Sequence, residues 1–270
     1  MKYGLIAGNG RFPTLALEAA RKLGHEVVAI GIKEEAAPEI EALAARTYWI
    51  SLGQLSRLIE ILKDEAVTEV IMAGQVKHNK IFSSIRPDWR LFKLLATLPE
   101  KNTDALIGGV VRILAGEGIQ LGDSTRLLKP LLADSGAMTK RKPSREEDAD
   151  VAYGRRVAGA LAGFDVGQSV AICERACVAV EAMEGTDAML RRAAGLANGR
   201  RLALVKAARR RTHLLFDVPV AGLSTIGVMR ETGASILAVD AGHTLLLDRD
   251  EMLEQADAAN LCIVGYEDKD

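Results

Sequence analysis

Aromatic side chains are scarce in this chain, at 4% of 270 residues. The apolar content is therefore mainly aliphatic, and much of it is Ala, which favours helix. Cysteine is scarce too: Cys173, Cys177 and Cys262 are three, an odd number in strand-like contexts. That count argues against a disulfide framework and against a cysteine metal site, so all three are expected as small core residues. No apolar run approaches the ~20 residues needed to span a bilayer. A net charge of −1 lacks the basic excess that bulk nucleic-acid binding needs. The opening Met1 to Gly10 reads as a short strand and a Gly loop, not as a charged-then-apolar export signal, so a cytoplasmic location is expected. No internal repeat or low-complexity tract interrupts the chain.

What is present suits a folded core: 49% hydrophobic and 26% charged residues. The length allows one large or two ordinary domains. Strand-like and helix-like segments alternate, which predicts an α/β protein. The stretch from Ala133 to Arg145 is rich in Gly, Pro, Ser and basic residues and has no apolar period. It divides the chain into an N-terminal Rossmann-like parallel sheet (1–132), a linker (133–144) and a C-terminal mixed α/β domain (145–270).

In the N-terminal half, Tyr3 to Ala7 reads as a strand, and Gly8-Asn9-Gly10-Arg11-Phe12-Pro13 as a turn into a helix. The pattern is not a dinucleotide fingerprint. Pro13 stands where a third Gly belongs, and the next strand ends in Gly31-Ile32-Lys33 instead of an acid for a ribose. The turn is either a cradle for phosphate or sugar at the N–H groups of Gly8 to Arg11, or a tight turn with no ligand. Ala73-Gly74-Gln75-Val76-Lys77 follows another strand and is expected to face it across the sheet. Farther on, Phe82, Trp89 and Phe92 sit among Lys80, Arg86, Arg90 and Lys93. A helix from about Pro87 places Trp89, Phe92 and Leu95 on one side, either as core, as an apolar slot, or as a basic-aromatic surface for anionic lipid.

The C-terminal half offers acids at strand ends. Leu214 to Asp217 reads as a buried strand that ends on a carboxylate, with Pro219 closing the ladder and Gly222 opening a helix. Val178 to Ala182 repeats the shape, with Glu184-Gly185 as turn and Thr186 as the N-cap of a helix that has Asp187 in its first turn. Such acids serve as catalysts at the carboxyl ends of α/β strands or simply cap turns and helices. Gln168 precedes a strand, Lys206 ends one, and Asp240-Ala241-Gly242-His243 reads as a hairpin turn.

Several of these stretches form a recognisable set, in order along nearly the whole chain: Gly4-Leu5-Ile6-Ala7-Gly8-Asn9-Gly10-Arg11-Phe12-Pro13, Met72-Ala73-Gly74, Thr103-Asp104-Ala105-Leu106, Asp165-Val166-Gly167-Gln168, Glu181-Ala182-Met183-Glu184-Gly185-Thr186-Asp187, Phe216-Asp217-Val218-Pro219 and Leu247-Asp248-Arg249-Asp250. The set resembles the LpxI-type UDP-2,3-diacylglucosamine pyrophosphatases. Gln75 stands where Lys or Asn is common in that family, and Lys206-Ala207-Ala208 lacks the usual following Pro. The resemblance implies a cytoplasmic enzyme of lipid A synthesis that releases UMP and 2,3-diacylglucosamine 1-phosphate. It implies a divalent cation, usually Mg²⁺, two α/β domains with the lipid product between them, and a homodimer. Peripheral contact with the inner membrane is left open. Asp217 matches the family's essential acid and is expected to ligate metal or activate water, with Glu184 and Asp187 as secondary acids. Gly8, Asn9, Gly10, Ala73, Gly74, Gln75, Gln168, Thr186 and Lys206 are expected at the substrate. The alternative is a non-catalytic carrier of a sugar-lipid phosphate.

Overall fold

The computed structural model describes residues 1–76, 86–98, 103–164, 166–208 and 218–267. Two compact units divide the chain, one built on Met1–Leu128 and the other beginning at Lys129.

The first unit is a parallel sheet in the order β3-β2-β1-β4-β5. Its strands are β1 (Lys2–Ala7), β2 (Glu26–Ile32), β3 (Arg46–Ile50), β4 (Glu69–Ala73) and β5 (Gln120–Leu121). After its first residue β2 is buried throughout, the mark of a parallel strand covered on both faces. Helices α1 (Phe12–Lys22), α2 (Leu55–Asp64), α3 (Trp89–Thr97) and α4 (Thr103–Gly116) supply the cover. On α2, Leu55, Leu58, Ile59 and Leu62 fall on one face at helical spacing and are buried. The chain builds β1, β2 and β3 outward, then returns to place β4 on the other side of β1. That reversal opens a crevice at the carboxyl ends of β1 and β4, where open α/β sheets place ligands.

The second unit is a mixed sheet in the order β6-β13-β11-β9-β7-β8. Its strands are β6 (Gly136–Ala137), β7 (Ser169–Cys173), β8 (Ala176–Val180), β9 (Leu202–Lys206), β11 (Ala234–Asp240) and β13 (Cys262–Tyr266). The strands β9, β11 and β13 are parallel, β6 runs antiparallel to β13, and β7 runs antiparallel to both β8 and β9. Alternate residues feed two cores. Helix α5 (Arg145–Gly163) sets Val151 and Ala158 among Ile172, Val205 and Ile236. It lies so close that a Cβ on Gly154 would meet Val205 Cγ2 at 2.6 Å. On the opposite face α6 (Thr186–Ala197), α7 (Leu223–Thr232) and α8 (Arg249–Ala258) pack Met189, Leu190, Ile226, Met229 and Met252 with Leu204 and Leu237. A capping box starts α5: Ser144 Oγ accepts from Glu147 N, and Glu147 Oε2 accepts from Ser144 N.

Two expectations change. The stretch 133–144, read from composition as a linker, is bound into the second unit. Strand β6 pairs with β13, and Arg141 donates to Glu147 and to the carbonyl of Asn260. A Gly/Pro/basic stretch lacks an apolar period, yet an edge strand and an arginine strap need none. The segment 240–243 is not a hairpin turn either. Strand β11 pairs in parallel with β9 and β13, while β12 (Leu245–Leu246) leaves for a separate two-stranded pair with β10 (Val220–Ala221). None of the three cysteines forms a disulfide; Cys173 and Cys262 are buried.

Candidate functional site

In the first unit the Gly8 and Gly74 turns meet at the strand-order reversal. Gly8 N donates to Ala73 O at 2.9 Å, Asn9 N to Gln75 O at 2.7 Å, and Gln75 N to Asn9 O at 3.0 Å. The structure thus brings Gly8, Asn9, Ala73, Gly74 and Gln75 together, with Gly10 next to them. The N–H groups of Gly8 and Asn9, read from the sequence as either a phosphate cradle or a plain tight turn, are taken by backbone carbonyls. Glycine is needed here for close approach: a Cβ on Gly8 would lie 2.6 Å from Gln75 O, and one on Gly74 2.5 Å from Asn9 O, with Gly74 also at φ +89°. Beside the paired turns lies a cavity of about 210 Å³, lined by Ile6, Ile32, Leu58, Met72, Leu91, Leu106 and Val110 with Ser51 and Gln54. Its chemistry suits an apolar group. Trp89 and Phe92, expected together on one side of their helix, face solvent, and the buried side is Leu91 and Leu94, which overturns the core reading of the aromatic pair. Phe82 lies outside the described residues.

In the second unit a polar cluster sits at the carboxyl edge of the sheet. The antiparallel register sets Ser169, first residue of β7, opposite Lys206, last residue of β9. Lys206 is buried, and its Nζ donates to Thr186 Oγ1 at 3.1 Å. Thr186 Oγ1 in turn donates to Glu181 Oε1 at 2.8 Å and lies 3.1 Å from Ser169 Oγ. Gln168 N donates to Glu181 Oε2 at 3.3 Å. Burial pushes the Glu181 carboxyl up, but the Lys206 ammonium, the hydroxyls of Ser169 and Thr186 and the Gln168 N–H outweigh it and hold it below the usual carboxylate range.

The structure therefore joins three expected residues, Gln168, Thr186 and Lys206, around an acid that sequence reasoning passed over. Thr186 is not the N-cap; Gly185 holds that position at φ 82° and frees the Thr186 hydroxyl for Glu181 and Lys206. Glu184 faces away, with one oxygen on Ala182 N and the other on Arg192, whose guanidinium holds its carboxyl below the ordinary range. Asp187 stands in the first turn of α6. At the neighbouring strand end, Asp240 accepts from Ala208 N at 2.7 Å and from Arg155 at 3.2 Å. The signal for Glu181 was present: it follows buried Ala179 by two residues, one position past the end of β8.

Asp217 and the strand expected at Leu214 to Asp217 lie outside the described residues. The described β-structure resumes at Val220, and Pro219 O accepts from Leu245 N at 2.9 Å. Among the described residues no three His, Cys, Asp or Glu side chains converge as a metal-binding set. Glu181, Glu184 and Asp240 already face cations or N–H groups of the chain, so these three do not make a fit for a divalent ion.

With this geometry in view, comparison with known proteins gives a consistent result. The model of the LpxI N-terminal domain matches residues 2–131, and that of the LpxI C-terminal domain matches residues 134–264. A curated relative from Caulobacter vibrioides, UDP-2,3-diacylglucosamine pyrophosphatase LpxI, is 30% identical over 276 residues, covering 98% of each chain. Among solved structures, UDP-glucose 4-epimerase from Bifidobacterium longum aligns at 10% identity and TM-score 0.31, over 44% of this chain and 35% of that one. A glycinamide-RNase-transformylase T from Mycobacterium tuberculosis aligns at 16% identity and TM-score 0.23, over 27% and 22%. Those two overlaps are too slight to carry an argument. Both halves of this chain match domain models of one family, in order and nearly end to end, and the chain belongs to the LpxI family.

Proposed function

We propose that this chain hydrolyses the pyrophosphate bond of UDP-2,3-diacylglucosamine, releasing UMP and 2,3-diacylglucosamine 1-phosphate. The observation that carries the reading is the buried Lys206, set with Thr186 at the start of a helix and at the carboxyl edge of a sheet, in a chain of this family. A pyrophosphate diester is doubly anionic, so its cleavage needs charge held in a fixed frame. In the proposed course the Lys206 ammonium and the N–H groups at the α6 start hold phosphate oxygens. Glu181 and Ser169 keep Lys206 and Thr186 in place. Asp217 takes a proton from water as that water attacks the phosphorus next to the sugar. The bond from that phosphorus to the bridging oxygen breaks, and the bridging oxygen leaves with UMP. Asp187 and Glu184 are the secondary acids of this reading. The apolar cavity of the first unit supports a substrate with acyl chains.

Mg²⁺ or another divalent cation belongs to the proposal, with Asp217 as its ligand, although the described acids form no metal set and no step above runs through an ion. A homodimer and a peripheral contact with the inner membrane are also part of it. Among the described residues no helix is long and apolar enough to cross a membrane.

The test is UMP release from UDP-2,3-diacylglucosamine by the full chain. Turnover is expected to fall more than about a hundredfold in Asp217→Ala and Asp217→Asn with the fold retained. It is also expected to stop on exhaustive chelation and return with Mg²⁺. Tight binding of the lipid phosphate without UMP release would instead identify a carrier.

A further inference from the structure

The outward face of α3 takes no part in the site described above. Helix α3 is firmly seated. Asp88 caps it, with Oδ1 accepting from Leu91 N at 3.0 Å and Oδ2 accepting from Ser56 N at 2.5 Å. Leu91 and Leu94 are buried, and Leu94 lies so close to α4 that a Cβ on Gly109 would meet its Cδ1 at 2.5 Å. On the opposite side Trp89 is 74% exposed and Phe92 55%. Their rings stack with centroids 6.2 Å apart and planes 24° from parallel. A chain with few aromatics thus places two of them in water, held against each other on a rigid helix.

The exposed charges on the helix and at its start are basic. Arg86, Arg90 and Lys93 are exposed beside the aromatic pair. Asp88, the sole acid among residues 86–98, is committed to the cap. Arg90 reaches Glu117, which also pairs with Lys63, so one carboxylate answers two cations. Aromatic rings with a cationic rim favour the boundary between acyl chains and anionic headgroups. Apposing this face on a second copy through a twofold axis would bring like charges together.

We propose that the Trp89–Phe92 face of α3 is a docking surface for a bilayer of anionic phospholipid. The inference deepens the proposed function and rests on it in one respect, since a substrate with two acyl chains must be drawn from a membrane. Leu91, on the inner side of the same helix, lines the apolar cavity, so α3 stands between the docked bilayer and that cavity.

The binding measurements use the full chain without substrate. Trp49→Phe leaves Trp89 as the one tryptophan, because the chain has 2. Vesicles of phosphatidylglycerol and phosphatidylcholine in equal parts are expected to shift Trp89 emission to the blue and shield it from an aqueous quencher. Vesicles of phosphatidylcholine alone are expected to do neither. In sedimentation, Trp89→Ala with Phe92→Ala lowers partition at least about tenfold, and Arg86→Gln with Lys93→Gln lowers it roughly thirtyfold. Both double variants keep UMP release from detergent-dispersed substrate. Unchanged emission with anionic vesicles, equal partition of the aromatic variant, or equal binding to neutral vesicles would overturn the proposal. So would a dimer that falls to monomer in the aromatic variant while vesicle binding persists, because the face would then be a subunit contact. Docking without hydrolysis would leave the surface standing and remove the proposed reaction; hydrolysis without docking would do the reverse.

Discussion

Lys206→Met keeps most of the side-chain volume at the end of β9 and removes its charge. Glu181 then keeps the burial that pushes its carboxyl up and loses the ammonium that holds it down. Its titration is expected to move upward, read by carboxyl-carbon NMR. Thr186 also loses the bond from Lys206 Nζ, so a fall in stability of about 1.5 kcal/mol is expected in urea melts, together with loss of UMP release. Glu181→Gln is the gentler change, because the amide oxygen still accepts from Thr186. It should retain more stability than Lys206→Met and still lose activity. An unmoved Glu181 titration in Lys206→Met would show that the two groups are not coupled. The residue types of this cluster could be read from the sequence, and Gln168, Thr186 and Lys206 were expected. Glu181 was not, because two nearby acids, Glu184 and Asp187, stood at the more obvious turn. What separates them is direction: Glu181 accepts from the Thr186 hydroxyl, while Glu184 turns to Arg192.

At the scale of elements, the paired turns of the first unit depend on two glycines for different reasons from that at Gly10. Gly10 and Gly74 both have positive φ, at +94° and +89°, but Gly10 has open space where a side chain would go. Gly10→Ala is expected to cost about 1 kcal/mol, the backbone penalty alone. Gly74→Ala adds a clash with Asn9 O and is expected to cost roughly 2 kcal/mol more. Chemical denaturation of both variants checks the difference, and equal costs would mean that the turns separate freely. The sequence marked both turns as special and left open whether the glycines serve a ligand or the backbone. Backbone pairing accounts for the glycine at Gly8, and close approach to Asn9 O for the glycine at Gly74. The misread hairpin at 240–243 has a similar origin. Two short apolar runs around Asp-Ala-Gly-His look like hairpin arms, yet β11 already has parallel partners on both sides.

For the whole molecule, each unit has a carboxylate held at about 2. In the first unit the Tyr48 hydroxyl, then Arg46 and Lys2, hold Glu65 down. In the second, burial pushes Glu147 up, but Arg141, Ser235 and the Ser144 N–H outweigh it. A carboxylate depressed in the folded state stabilises fully above its unfolded pKa, and that contribution is lost as pH falls through the folded value. Thermal stability is therefore expected to be nearly level from neutral pH down to about 5 and to fall steadily toward pH 2. Glu65→Gln and Glu147→Gln should each lower the melting temperature at neutral pH and flatten the acid dependence. Calorimetry with two transitions would assign each variant to its own unit. A stability curve unchanged by either variant would remove these carboxylates from the account of acid unfolding.

By itself the sequence determined the α/β class, the parallel first sheet, the α/β character of the second unit and the family, because these depend on period, turn residues and ordered motifs. Helix α5 was legible from Ser144, a good N-cap residue at its start, which is a local signal. Tertiary structure alone decided that 133–144 completes a sheet edge, that Ser169 stands opposite Lys206, and that Trp89 faces water while Leu91 faces the core. Each of these depends on partners distant in the chain. Strand register and the rotation of a helix about its own axis are set by what packs against them, and a single strand or helix does not contain that information.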